Sequence, residues 1–372
     1  MAKLTSSPIS IIIIFYFFQS SNAAYNVVSF GAKPDGRTDS TQPFLRAWSS
    51  ACKSVTMATI YVPRGSFVIR AVVFGGPCRS KVVFRIDGTL VAPSNYWNVG
   101  NSGYWILFSK VVRVSIYGGT IDGRGSGFWA CRRTGENCPN GARSISFSWS
   151  RKIVVSGLTS INSQTMHMAL DHSQNIVIKN VKIIAPTNSP NTDGIHMQSS
   201  TGITIILYWV VIKATVCFYG SKCSIGSLGD YAKEDGVENV TVTSAIFTKT
   251  QNGVRIKSWA RPSNGYARNL VFRNIIMNSV YNPIIIDQNY CPDNRGCPRQ
   301  SSGVKISGVT YKNIKGSSAT QVGINFQCSS NNPCRGIKLQ YIKLTYNGRP
   351  SISHCNNAHG TTTGLVIPTS CL

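Results

Sequence analysis

One short pattern recurs along this chain. An apolar residue, any residue, a second apolar residue and any residue are followed by a small residue or Asn. It appears as Val114, Ile116 and Gly118, then as Ile153, Val155 and Gly157, then as Ile176, Ile178 and Asn180. A truncated copy follows at Ile203 and Ile205. Further copies are Val240, Val242 and Ser244; Leu270, Phe272 and Asn274; Val304, Ile306 and Gly308; and Ile337, Leu339 and Tyr341. Alternation with β-branched residues predicts strands with one buried face. Successive copies start 23 to 39 residues apart. That spacing is too wide for a sandwich with turns every ~10 residues, and no helical periodicity fills the gaps. A fixed strand unit at irregular spacing predicts an all-β solenoid, a parallel β-helix whose turns carry loops of variable length. Its interior is a column of Val, Ile and Leu, and small residues or Asn sit at the corners. An exposed sheet face then forms a groove along the axis, which suits an extended polymer better than a small molecule.

The first residues depart from this pattern. Ile9 to Phe18 is a nearly unbroken apolar run behind Lys3, and Ser21 and Ala23 offer a small-x-small cleavage site before Ala24. This predicts a signal peptide over 1–23 and a single mature domain over 24–372. The run is too short to span a bilayer, so no membrane anchor is expected. Twelve cysteines in a secreted chain favour disulfides. Cys291 with Cys297 and Cys328 with Cys334 have spacings that suit local loop staples, while the overall connectivity stays open. The chain has no CxxC pair and five scattered histidines, so no metal site is expected. Asn239-Val240-Thr241 is a glycosylation sequon, consistent with secretion.

Charge narrows the partner. The formal net charge is +25, and such a surface attracts polyanions. Nucleic acid is the usual partner of a basic protein, but secretion argues against it. An extracellular acidic polysaccharide fits better.

Three stretches carry candidate chemistry. The first runs from Tyr25 through Phe30, Asp35, Gly36 and Asp39 to Trp48 and Cys52. The second is Ser189-Pro190-Asn191-Thr192-Asp193-Gly194-Ile195-His196. The third is Thr250-Gln251-Asn252-Gly253-Val254-Arg255-Ile256-Lys257. Taken singly, Asp193 reads as a turn aspartate, and Arg255 and Lys257 read as solvated strand charges. Taken in order, with Ile121-Asp122-Gly123, Gly226-Ser227-Leu228-Gly229 and Ile286-Asp287-Gln288-Asn289-Tyr290-Cys291, the chain resembles the plant polygalacturonases of glycoside hydrolase family 28. The wording from Tyr311 to Ala319 is nearest the pollen and exopolygalacturonase-like branch.

The resemblance implies a single-stranded, right-handed parallel β-helix of the pectin lyase-like kind. It implies inverting hydrolysis of α-1,4 bonds in polygalacturonate or pectin, with no cofactor and no metal. The protein would act as a monomer in the apoplast or cell wall. Inversion needs an acid and a base, with carboxyl groups roughly 6.5–9.5 Å apart to admit a water. By resemblance Asp193 activates that water, Arg255 and Lys257 grip a substrate carboxylate, Tyr290 lines a sugar subsite and Asn191 contacts substrate. Strand alternation puts Arg255 and Lys257 on one face with Ile256 turned inward.

The chain also departs from the family. The resemblance implies an Asp-Asp pair one coil after Asp193 and then a Gly-His-Gly motif, and neither occurs anywhere in the sequence. Both belong between Thr201 and Gly229. The text is intact to Ile205 and resumes at Ser224, which predicts one disrupted coil around 206–223. Cys217-Phe218-Tyr219-Gly220 is what a shifted reading frame yields from codons for Cys-Val-Ser-Met-Gly. Three expectations follow: a hydrolase, an inactive pectin-binding relative, or the product of a frameshifted or mis-spliced gene.

Overall fold

The computed structural model describes residues 23–135, 137–186, 189, 193–206, 217–218, 223–291, 297–298 and 300–372, with the side chains of 217, 218 and 223 excepted. The segment expected as a signal peptide lies outside the described residues apart from Ala23.

The alternating segments form strands, and the strands stack as coils. Ile153, Val155 and their neighbours form the strand Arg151–Ser156. It pairs in parallel with Gln174–Lys179, which pairs with Thr201–Ile206, which pairs with Val237–Thr243. A second sheet of ten parallel strands runs from Val72–Gly75 to Ile352–Asn356. Its inward positions make one continuous column. Phe108, Phe147, Leu170, Met197, Ile225, Ile256, Ile286 and Phe326 succeed one another in register, and all are buried. Stacking equivalent apolar residues coil on coil removes each from water, at about 1.5–3 kcal/mol per large side chain.

The fifth position of the sequence repeat is where the backbone turns. Gly118, Gly157, Asn180, Ser244, Asn274, Gly308 and Tyr341 have φ of 70°, 72°, 53°, 60°, 55°, 62° and 54°. Glycine enters this left-handed region freely and Asn tolerates it, which explains the pattern. Corner amides also bond along the axis: the Asn313 amide donates to Asn274 at 2.9 Å, and that of Asn269 to Asn239 at 3.3 Å. Tyr341 is the bulky exception.

The first coil is covered by the helix Thr41–Lys53. Phe44, Ala47, Trp48 and Ala51 form its buried stripe, and Trp48 packs on Phe74, Phe84 and Phe108. Among the described residues five disulfides pin loops and ends: Cys52–Cys78, Cys131–Cys138, Cys291–Cys297, Cys328–Cys334 and Cys355–Cys371.

The window expected to be disrupted falls mostly outside the described residues. Its flanks are informative. The strand Ile195–Gln198 pairs directly with Cys223–Leu228, and Ile203 pairs directly with Val240. The coil holding Asp193 and the coil holding Ser224 are therefore adjacent rungs.

Candidate active site

The ten-stranded sheet sets the outward residues in rows. Ala169, His196, Ser224, Arg255 and Ile285 succeed one another in register. Lys257 lies opposite Asp287 on the next strand. Asp193 precedes its strand by two residues, and its carbonyl accepts from the His167 amide at 2.7 Å.

The structure brings four of the expected residues together. Lys257 Nζ lies 3.5 Å from Asp193 Oδ2, with side-chain exposures of 4% and 0%. Its strand lies two strand spacings from Ile195–Gln198, roughly 10 Å, and the long side chain closes that gap. Lys257 Nζ also sits 4.6 Å from the centre of the Tyr290 ring. The Arg255 guanidinium lies 5.1 Å from the same ring, and its Nη2 donates to Asp287 Oδ2 at 2.6 Å. Ile256, between the two cations, is fully buried. Tyr290 is thus a shared aromatic wall for two cations, held edge-on by Trp259 at 5.3 Å. Asn191, expected to contact substrate, lies outside the described residues.

Three further residues belong to this cluster. Asp287 neutralises Arg255. His196 Nδ1 lies 3.9 Å from Asp193 Oδ2. Burial pushes the His196 imidazole below its usual range, against the opposing pull of Asp193. Ser224 lies between His196 and Arg255 in register, fully buried. Sequence reasoning assigned none of them a role, although Asp287 and His196 stand inside the quoted motifs. The signal that picks them out is coil register, which a sequence with variable intervals does not supply.

This arrangement has a clear chemical aptitude. Two cations and an aromatic ring face a strip of sheet, which suits a sugar acid: a guanidinium forks onto a carboxylate and an ammonium adds a point charge. The buried Arg255 Nε has no hydrogen-bond partner among the described residues. No group of His, Cys, Asp and Glu that could hold a metal ion occurs among the described residues. No helix among them is long and apolar enough to cross a membrane.

Comparison with known proteins gives a consistent result. Residues 52–371 match the family described as glycosyl hydrolases family 28. A polygalacturonase of Prunus persica is 50% identical over 385 residues, covering 98% of this chain and 98% of the relative. That stretch is longer than the 372 residues of the whole chain, so some residues of the relative have no counterpart here. An exopolygalacturonase of Platanus acerifolia is 35% identical, covering 94% of this chain and 98% of the relative. Among solved structures, the endo-xylogalacturonan hydrolase of Aspergillus tubingensis superposes with a TM-score of 0.70 at 20% identity, covering 92% of this chain and 99% of that one. The exopolygalacturonase of Thermotoga maritima gives 0.65 at 18% identity, covering 92% of each. At these identities the two structures speak to the fold alone.

Proposed function

The chain belongs to glycosyl hydrolases family 28, and from that premise we propose that its groove takes the galacturonate chain of pectin and that its reaction is inverting hydrolysis of α-1,4-galacturonosyl bonds. The observation that carries this is the convergence of Asp193, Arg255, Lys257 and Tyr290 on one strip of sheet. In that reading Arg255 and Lys257 bind a sugar carboxylate, Tyr290 supports the ring and Asp193 orients the attacking water. The expected secretion signal, the disulfides and the basic surface support an apoplastic protein acting on the cell wall, which we read as a monomer. Reducing-sugar release from polygalacturonate tests it. Complete absence of release from a folded, secreted sample sinks the hydrolytic step.

A second reading, a pectin-binding relative without turnover, is favoured by a specific pair of observations. The Asp193 carboxylate is sealed against Lys257, and the next rung along the groove is the Ser224 strand, in a chain with no Asp-Asp pair. General acid–base groups each contribute typically ~10²–10⁴-fold, so a groove lacking the acid grips without cutting. Salt-dependent retention on pectin, with no sugar release, distinguishes this reading from the first. Poor secretion and failure of both assays point to a damaged gene product, which a transcript read across 206–223 identifies.

A further inference from the structure

The sheet that does not carry the groove has an unusual stretch. Its three longest strands, Tyr266–Val280, Lys305–Ser318 and Cys334–Tyr346, stack side by side. They carry eight Lys and Arg residues, all exposed, and not one Asp or Glu. Among the described residues only Arg268 of these has an acidic partner, Glu238. Two like-charged pairs lie directly opposite in register: Arg273 with Lys312, and Lys315 with Lys343. Adjacent strands are about 4.8 Å apart, and like charges facing each other there cost stability. The fold bears this cost without local compensation.

Tyr341 stands at the corner between the two pairs. Its backbone is left-handed at φ 54°, and the residue is 55% exposed. The ring rests on the next coil at Gly364, where a Cβ would come within 2.3 Å of it. An exposed, supported ring flanked by cations is suited to a sugar acid: the ring takes an apolar sugar face and the cations take carboxylates. Thr310 and Gln340 lie opposite Lys338 and Lys312, so the ground between the charges is polar. That favours a hydrated polysaccharide over a lipid bilayer, which an interfacial surface meets with large apolar residues.

We infer that this face is a second binding surface, for a de-esterified stretch of galacturonan, with Tyr341 as the sugar platform and Arg273, Lys312, Lys315 and Lys343 as the carboxylate contacts. The identity of the polymer rests on the proposed pectin reading. The surface itself is separate from the groove and would hold the protein on the matrix whether or not the groove is filled.

The test uses the full secreted chain on immobilised polygalacturonate. The triple variant Lys312→Gln/Lys315→Gln/Lys343→Gln should weaken retention on the order of tenfold at ~0.1 M salt. Its melting midpoint should rise slightly, because both facing like-charged pairs are removed, and its affinity for a short soluble oligogalacturonide should stay unchanged. Tyr341→Asn, which keeps a residue tolerant of the corner, should weaken the part of retention that survives high salt. Wild-type retention in the triple variant overturns the inference, as does equal binding of the wild type to phosphatidylserine vesicles or to fully methyl-esterified pectin. Arg255→Ala separates the two surfaces. Loss of all retention there, with none in the triple variant, leaves the groove reading alone standing. The reverse result supports the second surface and removes the groove reading.

Discussion

Two ion pairs stand side by side in the groove, and they differ in their access to water. Asp193 with Lys257 is sealed, at 0% and 4% exposure. Arg255 with Asp287 is open, at 11% and 21%. Both are a carboxylate facing a cation, yet they answer different questions. A sealed pair has already given up its water, so breaking it leaves a stranded charge. An open pair can exchange its carboxylate for that of a sugar at little desolvation cost. Tyr290 touches the cations of both pairs and stands between the sealed part of the site and the part open to water.

The sharpest way to break this comparison is to remove one partner from the sealed pair. Asp193→Leu or Lys257→Met should each lower unfolding free energy by about 3–5 kcal/mol, read by urea denaturation. The double variant should recover much of the loss, because two matched apolar groups leave no charge behind. Equal losses for single and double variants would show that no coupling exists.

The open pair should behave in the opposite sense. Arg255→Ala should cost about 1 kcal/mol of stability or less, since Asp287 keeps contact with water. Its affinity for polygalacturonate should fall by about 1.5–3 kcal/mol, the worth of a hydrogen bond to a charged group. Calorimetric titration beside a melting curve shows whether stability and affinity come apart.

The sealed zone extends to His167, which is fully buried, with Nδ1 2.8 Å from Ser160 Oγ. Burial lowers its pKa from 6.5 to about 3. Below pH 6.5 the unfolded chain therefore takes up a proton that the folded chain refuses. Its contribution to stability is intact above 6.5 and is lost as pH falls toward 3, at about 1.4 kcal/mol per pH unit. His167→Gln should flatten that part of the stability–pH curve. An unchanged slope removes His167 as its source.

The smallest effect belongs to Tyr290→Phe. The ring and its cation contacts stay, so stability should move by less than about 0.5 kcal/mol. Affinity should fall only as far as the hydroxyl itself meets the sugar. Tyr290→Ala, by contrast, should cost about 0.5–1 kcal/mol through the lost cation–π contacts.

Much of the architecture was legible before any coordinates. The apolar alternation names the strands, and the small-or-Asn position names the corners because only certain residues accept a left-handed backbone. Arg255 and Lys257 emerge only through the family resemblance, and alternation adds that they share one face. Asp287 and His196 did not emerge, because their place in the cluster depends on which coils touch. Intervals of 23 to 39 residues hide that register. Cysteine pairing divides the same way. Cys328 with Cys334 is local and readable, whereas Cys52 with Cys78 and Cys355 with Cys371 span 26 and 16 residues of chain. Tyr341 breaks the small-residue rule at its corner, in the middle of the cationic face.

The direct seating of Ile195–Gln198 on Cys223–Leu228 makes the groove a ruler graduated in strands. Such a ruler can be lengthened or shortened only by whole divisions, each about 4.8 Å, because every coil answers only to its neighbours. Met197 pairs in register with Ile225 as Leu170 does with Met197, and all three are buried, so the interior carries no memory of how many divisions there ought to be. The reactive groups do carry one. One more division between Asp193 and Lys257 puts their strands roughly 14 Å apart and their charged groups about 8 Å apart, out of contact with each other. A change of one division is therefore nearly silent in a melting curve and decisive in an assay.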